Sequence, residues 1–396
     1  MAKKEKFNLT ILWAQSTLAY SSRRSFMDPV AHALSGSAIA AAGLRRVTPL
    51  ATAALLIGAV VPDIDGLILL DDYAALAHRR GVTHGIAALI VLPLLVTSLL
   101  LLWDRWVRRR RNPDARPAQA GQLFLLTALG VSLHLFFDWL NNYGVRLLMP
   151  FDDRWLYGDV LFIIDPWLWL TLGGITFLTW SARRMALVAW ATLAIVLSLP
   201  MFLSELVAPA ARILWLLALG ALVVIRLRWP ALQMGSHRVT RLTRIVLLVA
   251  AAYIGANIAG ATAAREQVRA IASAQGLEVN DVMVGPVAIN PLRGNVIVQS
   301  EDAYFLGQWN WLGSPRLKLE RSALPSLMQD PRTQSAAETT EAQNFLSWSR
   351  YPYARVEVGD DGYTVHFYDV RFVDFDDAIS GPSVELNRAL EVISVD

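Results

Sequence analysis

Residues 78–103, HRRGVTHGIAALIVLPLLVTSLLLLW, join a histidine- and arginine-rich segment directly to a long apolar run. A helix needs about 20 apolar residues to cross about 30 Å of hydrocarbon, so this run predicts a membrane span. The polar segment before it holds two of the six histidines in the chain. Because ionisable groups are costly within a membrane, their position at the start of a membrane span points to a function.

The composition of the whole chain is that of a membrane protein. Of its 396 residues, 55% are apolar and 17% are charged, whereas soluble proteins average about 25% charged residues. Besides six predicted spans, two further segments, 30–44 and 50–70, are short or interrupted, and they either span the membrane or are partly embedded. We therefore expect an α-helical polytopic membrane protein with six to eight membrane helices. Six predicted spans lie at 83–103, 121–140, 162–181, 185–204, 211–227 and 245–264.

The sequence changes character at residue 265, where charged residues return and long apolar runs end. Alternating stretches such as GNVIVQS (294–300) and ARVEVGDDGYTVHFYDV (354–370) predict β-strands, and GDDGY predicts a hairpin turn. His366 is therefore expected to be a sheet residue. The predicted domains are an N-terminal extension outside the fold at 1–26, a membrane-embedded domain at 27–264 and a soluble α+β domain at 265–396.

Clusters of arginine predict the orientation in the membrane. The loop at 104–120 carries six arginines and two aspartates, and the loop at 226–244 carries five arginines and no acidic residue. Both loops are cytoplasmic by the positive-inside rule. If the two short segments form a hairpin, Arg45 and Arg46 fall on the same side, and the C-terminal domain is non-cytoplasmic. The modest net charge of +3, gathered in these loops, argues against nucleic-acid binding.

Ionisable residues from separate stretches fall at the non-cytoplasmic ends of the predicted helices. In HLFFD, His134 and Asp138 are four residues apart, which places both side chains on one helix face, where they can bind one ion. In PDID, Pro62 ends a regular helix, so Asp63 and Asp65 can both turn inward. Their convergence on one membrane level points to a single site.

In HRRGVTH, His78 and His84 are six residues apart with Gly81 between them, as a turn that brings them together would require. His32 begins the first short segment at the same level. The chain has no cysteine, and a set of imidazoles and carboxylates without sulfur suits zinc, manganese or iron. An ion or proton pathway and structural polar contacts are the alternatives. The seven candidate metal ligands are His32, Asp63, Asp65, His78, His84, His134 and Asp138.

Four stretches resemble the YdjM-type family of predicted membrane-bound, metal-dependent hydrolases. The similarity is strong from Met27 to about Trp180 and weaker in INPLRGNVIVQSEDAYFLG (289–307). It implies a multi-pass hydrolase of the bacterial inner membrane, without identifying the substrate. Family members begin at the methionine that is Met27 here. The four stretches are MDPVAHALSGSAIAAAGL (27–44), GAVVPDIDGL (58–67), HRRGVTHG (78–85) and HLFFDWLNNYGVRLLMPFDDRWLYGDVLFIIDPWLW (134–169).

The resemblance also implies which residues form the site, because each family motif has a counterpart in this chain. The first histidine falls on His32, the acidic pair on Asp63 and Asp65, the H-x-R-G-x-T-H segment on His78, Arg80, Gly81, Thr83 and His84, and the H-x-x-x-D pair on His134 and Asp138.

A metal held by these residues would lower the pKa of a bound water from 15.7 toward about 7 and so supply hydroxide at neutral pH. We expect zinc, as one or two ions, with Asp65 accepting the proton. Arg80 could stabilise negative charge in the transition state, although Arg79 and Arg80 could instead contact lipid headgroups. Arg79, Asn141 and Asn142 are the candidate substrate-binding residues.

A site at the outer membrane interface meets amphiphiles. The predicted substrate is therefore lipid-like and cleaved at a phosphoester or ester bond, with peptide bonds as the second choice, and membrane lipids are the expected partners. Tyr143, Trp155 and Tyr157 suit the headgroup layer as anchors.

Two other classes of function use the same residues differently. An ion or metal transporter would need ionisable side chains at several depths, and the later segments carry few of these apart from their ends. A scaffold that recruits partners through the C-terminal domain would leave the membrane-embedded histidines unexplained.

Overall fold

The computed structural model describes residues 29–68, 72–204, 207–228, 237–372 and 380–396. The predicted extension at 1–26 lies outside the described residues. Helices form the described chain up to residue 274, and two antiparallel sheets with two short helices form the part after it.

Short helices and tight turns, rather than one long helix, form the segment that carries the acidic and histidine motifs. Pro62 lies in the first turn of a 3₁₀ segment, where a proline does not disrupt hydrogen bonding. The helix before it has only eight residues, about 12 Å, which is too short to cross a bilayer. The elements are α1 (Pro29–Ala41), a 3₁₀ turn (Leu44–Arg46), α2 (Ala51–Gly58), a 3₁₀ turn (Val61–Ile64), α3 (Asp65–Ile68), α4 (Asp72–His78) and a 3₁₀ turn (Val82–His84).

Five of the described helices are long and apolar enough to cross a membrane. The predicted span at 162–181 is a helix of only 15 residues. It begins late because the Asp165 side chain caps it by accepting the backbone N–H groups of Trp167 and Leu168. The described part of the chain therefore supports several spans, and it does not confirm the predicted count of six to eight. The helices are α5 (Ala88–Arg111), α6 (Ala120–Trp139), the short α7 (Pro166–Trp180), α8 (Arg184–Leu203), α9 (Pro209–Arg228) and α10 (His237–Ala274).

Glycines bring the α1–α2 hairpin close to α6. A Cβ atom at Gly58 would lie 2.6 Å from the carbonyl oxygen of Thr127, and one at Gly130 would lie 2.7 Å from that of Leu55. Small residues permit such backbone contact between membrane helices. Helix α6 also packs against α5, and α1 packs against α7. The end of α2 is thereby fixed beside the last turns of α6.

The C-terminal part is an α+β domain joined to the membrane region by one continuous helix. Helix α10 has 38 residues, about 57 Å, and it runs through the predicted boundary at 264/265 to pack against the first sheet. The GDDGY turn joins β6 to β7 as predicted, and His366 lies in β7, where its Nδ1 is 2.7 Å from the Ser383 Oγ.

All strand pairs in the two sheets are antiparallel. The first sheet has the order β1-β2-β3-β4, with β5 also pairing with β3, and the second has the order β6-β7-β8-β9. The elements are β1 (Asp281–Val287), β2 (Asn290–Gln299), β3 (Ala303–Asn310), β4 (Leu317–Leu319), β5 (Leu324–Pro325), α11 (Pro331–Ala336), α12 (Thr340–Trp348), β6 (Pro352–Val358), β7 (Gly362–Asp369), a 3₁₀ turn (Val370–Phe372), β8 (Ser380–Asn387) and β9 (Val392–Val395).

This domain packs directly on the segment that joins α6 to α7. The Trp155 Nε1–H donates to the carbonyl oxygen of Ser347 (2.9 Å), and the Arg371 Nη1–H donates to that of Asn142 (2.8 Å). Tyr143 is buried in the apolar core of the domain, and Trp155 packs against that core. Tyr143 and Trp155, two of the residues predicted to anchor in lipid headgroups, therefore pack against protein.

Ion pairs reinforce the junction. Arg350 donates both to Asp159 in the joining segment (2.9 Å) and to Asp281 in β1 (3.2 Å). Arg371 is paired with Asp369 at 2.8 Å, and both side chains are buried. Burial alone would raise the pKa of the Asp369 carboxyl, but the neighbouring Arg371 guanidinium lowers this pKa below its usual range. The anchoring Arg371 is thereby held in a charged pair.

Candidate metal centre

Four of the predicted ligands converge from three separate segments of the chain. Asp63 lies on the 3₁₀ turn after α2, His84 lies on the 3₁₀ turn before α5, and His134 and Asp138 lie one turn apart on α6. One ligand atom from each of them lies within 4.8 Å of all the others. The three residues other than Asp63 are buried. These side chains form a cluster that could hold a metal ion.

The Nε2 atoms of His84 and His134 face each other at 3.1 Å. The Oδ2 atom of Asp138 lies 3.1 Å from the first and 3.4 Å from the second. The Oδ1 atom of Asp63 lies 3.8 Å and 3.7 Å from them. Two nitrogens and two carboxylate oxygens therefore surround one point. The donor set matches that of zinc sites without cysteine.

The hydrogen bonds of the two Nδ1 atoms determine whether the Nε2 atoms of His84 and His134 carry a proton or a lone pair. The Nδ1 of His134 lies 2.8 Å from the carbonyl oxygen of Ala59, which can only accept, so this Nδ1 carries the proton. The Thr83 hydroxyl donates to Asp65, so its oxygen accepts from the Nδ1–H of His84 at 2.9 Å. In the neutral rings both Nε2 atoms then present lone pairs.

Two lone pairs that face each other at 3.1 Å repel unless a cation lies between them. The cation is either a proton on one ring or a metal ion bound by both. A tetrahedral ion with bonds of about 2.0–2.1 Å sets its nitrogen ligands about 3.3 Å apart. The observed separation and the two adjacent carboxylates fit such an ion. The Nδ1 contacts are those that commonly orient metal-binding histidines.

Asp65 and Arg80 surround this cluster rather than complete it. The Asp65 Oδ2 accepts from the backbone N–H of Arg80 (2.9 Å) and from Thr83 (3.1 Å), on the Nδ1 side of His84.

The Arg80 guanidinium is buried and donates to the Asp138 Oδ1 (2.5 Å), the Asn141 Oδ1 (3.2 Å) and the carbonyl oxygen of Gly144 (2.7 Å). The structure thus places both predicted catalytic residues where they hold ligands in position.

His32 packs against the cluster, whereas His78 does not. The His32 ring stacks on His134 with ring centroids 3.9 Å apart, and its Nε2 lies 3.3 Å from the Asp138 Oδ1. His78 ends α4 with an exposed side chain, and its Nδ1 bonds back to the carbonyl oxygen of Ala74 at 2.9 Å. The turn predicted between the two histidines of HRRGVTH does form, but Arg80, at a φ of 52°, occupies the interior instead.

The predicted substrate-binding residues lie around the cluster. Asn141 holds Arg80 through its side chain, and Asn142 accepts from the C-terminal domain through its carbonyl oxygen. Arg79 is buried with its guanidinium against Gly66. A cavity of about 30 Å³, large enough for a water molecule, lies beside the cluster. Its lining includes His32, Asp138, Asn141 and Asp165.

Sequence reasoning missed two groups that orient the ligands. The Ala59 carbonyl oxygen that fixes His134 has no side-chain signal in the sequence. Thr83 was present in the family motif, but nothing in its spacing indicated that its hydroxyl would link Asp65 to His84.

Comparison with known proteins supports the resemblance found in the sequence. Residues 27–207 match the model of the YdjM inner membrane protein family. The chain is also 28% identical over 156 residues to "Uncharacterized protein YfhP" of Bacillus subtilis (strain 168). That alignment covers 37% of this chain and 44% of the relative, so the chain spans less than half the length of the curated relative that it matches. No solved structure matches the chain.

We predict that His84→Ala and His134→Ala remove the metal from the purified protein, whereas His78→Ala, at an exposed histidine of the same motif, leaves it. Asp65→Asn should weaken metal binding by about 10–100-fold, because Asp65 orients His84 through Thr83 and does not itself hold the ion. The measurement is elemental analysis of each preparation, with titration of the stripped proteins by zinc. Equal zinc binding by His84→Ala, His134→Ala and the unaltered protein would contradict the assignment.

Proposed function

We propose that this chain, whose residues 27–207 match the model of the YdjM inner membrane protein family, is a membrane-bound metal-dependent hydrolase. The observation that carries the proposal is the pair of imidazole Nε2 atoms 3.1 Å apart, with each Nδ1 engaged elsewhere and two carboxylates adjacent. Nitrogen and oxygen donors without sulfur favour zinc, and they also suit manganese and iron. Asp63, His84, His134 and Asp138 would hold the ion.

When bound, such an ion supplies Lewis-acid chemistry, because it lowers the pKa of a coordinated water toward about 7. The protein keeps the ligands in place through two supports. Thr83 and Asp65 fix the ring of His84, and Arg80 fixes the carboxylate of Asp138. We therefore assign Arg80 as a positioning residue, since its Nη1 and Nη2 atoms already donate to protein oxygens.

His32 is the residue best placed to accept a proton. Its Nε2 lies 3.3 Å from the Asp138 Oδ1, and its buried Nδ1 has no hydrogen-bond partner. The ring lines the small cavity beside the cluster. A neutral imidazole that donates through Nε2 can accept a proton from a water in this cavity through Nδ1. We propose that His32, rather than Asp65, is the general base.

The substrate that this site favours is an amphiphile. The cluster lies at one end of the helix bundle, and exposed apolar side chains at Leu148 and Phe151 lie on the segment that follows α6. We propose a phosphoester or ester bond of a lipid-like molecule as the bond cleaved. Apart from Asp104, which directly precedes the arginines of α5 and pairs with Arg108, the described spanning helices carry no acidic residue or histidine between this cluster and their arginine-rich ends. This favours an enzyme over a transporter.

We predict that the purified protein hydrolyses a chromogenic phosphoester or ester, such as para-nitrophenyl phosphate or butyrate, only while metal is bound. A chelator should abolish turnover, and added zinc should restore it. His32→Ala should keep its zinc yet lose turnover by about 10²–10⁴-fold, the usual contribution of a general base. His78→Ala serves as the matched control and should remain active. Undiminished turnover after the metal has been removed would contradict the proposal.

We also propose that the cluster and the C-terminal domain lie on the non-cytoplasmic side. Contacts such as that of Arg371 with Asn142 place both at one end of the bundle. The arginine-rich ends of α5 and α9 lie at the other end, which the positive-inside rule assigns to the cytoplasm.

Because the chain has no cysteine, single-cysteine variants can test the orientation. Leu312→Cys places a thiol on the C-terminal domain at a side chain that is 81% exposed. Arg110→Cys places one at the exposed end of α5. In intact spheroplasts, a membrane-impermeant maleimide should label the first variant, and it should label the second only after permeabilisation. The reverse pattern would place the site on the cytoplasmic side.

A further inference from the structure

Arg146 is a buried arginine that forms no close ion pair with any described residue. Its side chain is only 8% exposed, and its Nε and Nη2 atoms have no hydrogen-bond partner. It forms no ion pair within 4.0 Å in the described part of the chain. A guanidinium is always charged and carries five N–H donors. Buried donors of this kind are almost always satisfied, so a ligand is expected to meet them.

The two free donors lie on the same edge of the guanidinium. The Nε–H and one Nη2–H bond point in parallel and are spaced to meet two oxygens of one phosphate or carboxylate group. Arg80, in contrast, uses Nη2 on Asp138 and Nη1 on Asn141. Of these two buried arginines, Arg146 is the one in which neither the Nε nor the Nη2 atom has a hydrogen-bond partner.

The guanidinium of Arg146 is held by stacking rather than by hydrogen bonds. It lies 4.6 Å from the centre of the Trp155 ring, and Trp155 is itself fixed by its hydrogen bond to Ser347 in the C-terminal domain. Stacking on an aromatic face orients a guanidinium without using its N–H donors. The edge is therefore preorganised for a ligand.

The backbone of Arg146 runs beside the motif that supplies His84. The Arg146 N–H donates to the carbonyl oxygen of Arg80 (3.1 Å), and the Ile86 N–H donates to that of Leu147 (2.8 Å). A ligand on Arg146 would consequently lie on the segment that flanks the metal centre. No spacing in the sequence predicts this role, because Arg146 lies in an aromatic segment without a motif of its own.

We propose that the Nε–Nη2 edge of Arg146 is a phosphate-binding subsite that recognises the phosphate of an amphiphilic substrate. This inference rests on the proposed function and names the group by which the substrate is held. The loop after Arg146 exposes Leu148 (38%) and Phe151 (84%), which would contact the apolar part of such a molecule.

Acidic residues on the same loop do not occupy the Arg146 edge. Asp152 is paired with Arg154 at 2.7 Å. Asp153 is exposed and attracts the Arg146 guanidinium, but it forms no ion pair with it within 4.0 Å. Neither carboxylate therefore bonds to the two-donor edge, which is buried.

The test measures binding by calorimetry to the full-length protein in detergent, with all metal removed by a chelator. The probes are dihexanoyl phosphatidic acid and inorganic phosphate. Arg146→Gln should weaken binding of phosphatidic acid by about tenfold or more, because charge-assisted bidentate hydrogen bonds are strong. Arg146→Lys should give a smaller loss, since it keeps the charge without the two-donor edge. Arg154→Gln, at the exposed arginine of the same loop, should bind as the unaltered protein does.

The two probes distinguish the source of the phosphate. Tighter binding of phosphatidic acid than of inorganic phosphate assigns the subsite to a lipid headgroup, and equal binding assigns it to a free phosphate group. The proposal is overturned if neither probe binds, if Arg146→Gln and Arg146→Lys both bind normally, or if binding requires added zinc. Because the metal is removed, a failure of the proposed hydrolysis would leave these titrations unchanged.

Discussion

The contact on which the rest of this structure depends is the approach of two imidazole nitrogens, the Nε2 atoms of His84 and His134, to 3.1 Å. Their Nδ1 atoms are committed to Thr83 and to the Ala59 carbonyl oxygen. The neutral rings would therefore repel, and a cation must lie between them. This requirement explains why two carboxylates and a buried arginine surround a site at the end of an apolar bundle.

The fold meets this requirement with short elements and close backbone packing. Gly58 and Gly130 let the end of α2 approach α6, so that the Ala59 carbonyl oxygen reaches His134. Asp63 follows four residues later. The C-terminal domain supports the opposite side. It holds the segment after α6 through Trp155 and Arg371, and that segment supplies the oxygen atoms that hold Arg80.

Sequence patterns predicted what depends on local spacing. The helical pair His134 and Asp138, the hairpin at GDDGY and the apolar spans all follow from periodicity within one segment. Features that depend on tertiary contacts were not predictable. The direction of His78, at the end of a short helix, is set by its bond to the preceding turn, and Tyr143 is buried by a domain more than 100 residues away in the sequence. The sequence pattern also did not predict that the Asp165 side chain would cap α7, which makes this helix shorter than the predicted span.

X-ray absorption at the zinc edge tests the central claim most directly, because it reports the ligands of the metal in the intact protein. The account predicts one tightly bound ion per site with two imidazole nitrogens and carboxylate oxygens at about 2.0–2.1 Å and no sulfur, and loss of one imidazole contribution in His134→Ala. A protein that binds no metal would contradict the account. A spectrum that shows no imidazole ligand, and that does not change in His134→Ala, would also contradict it.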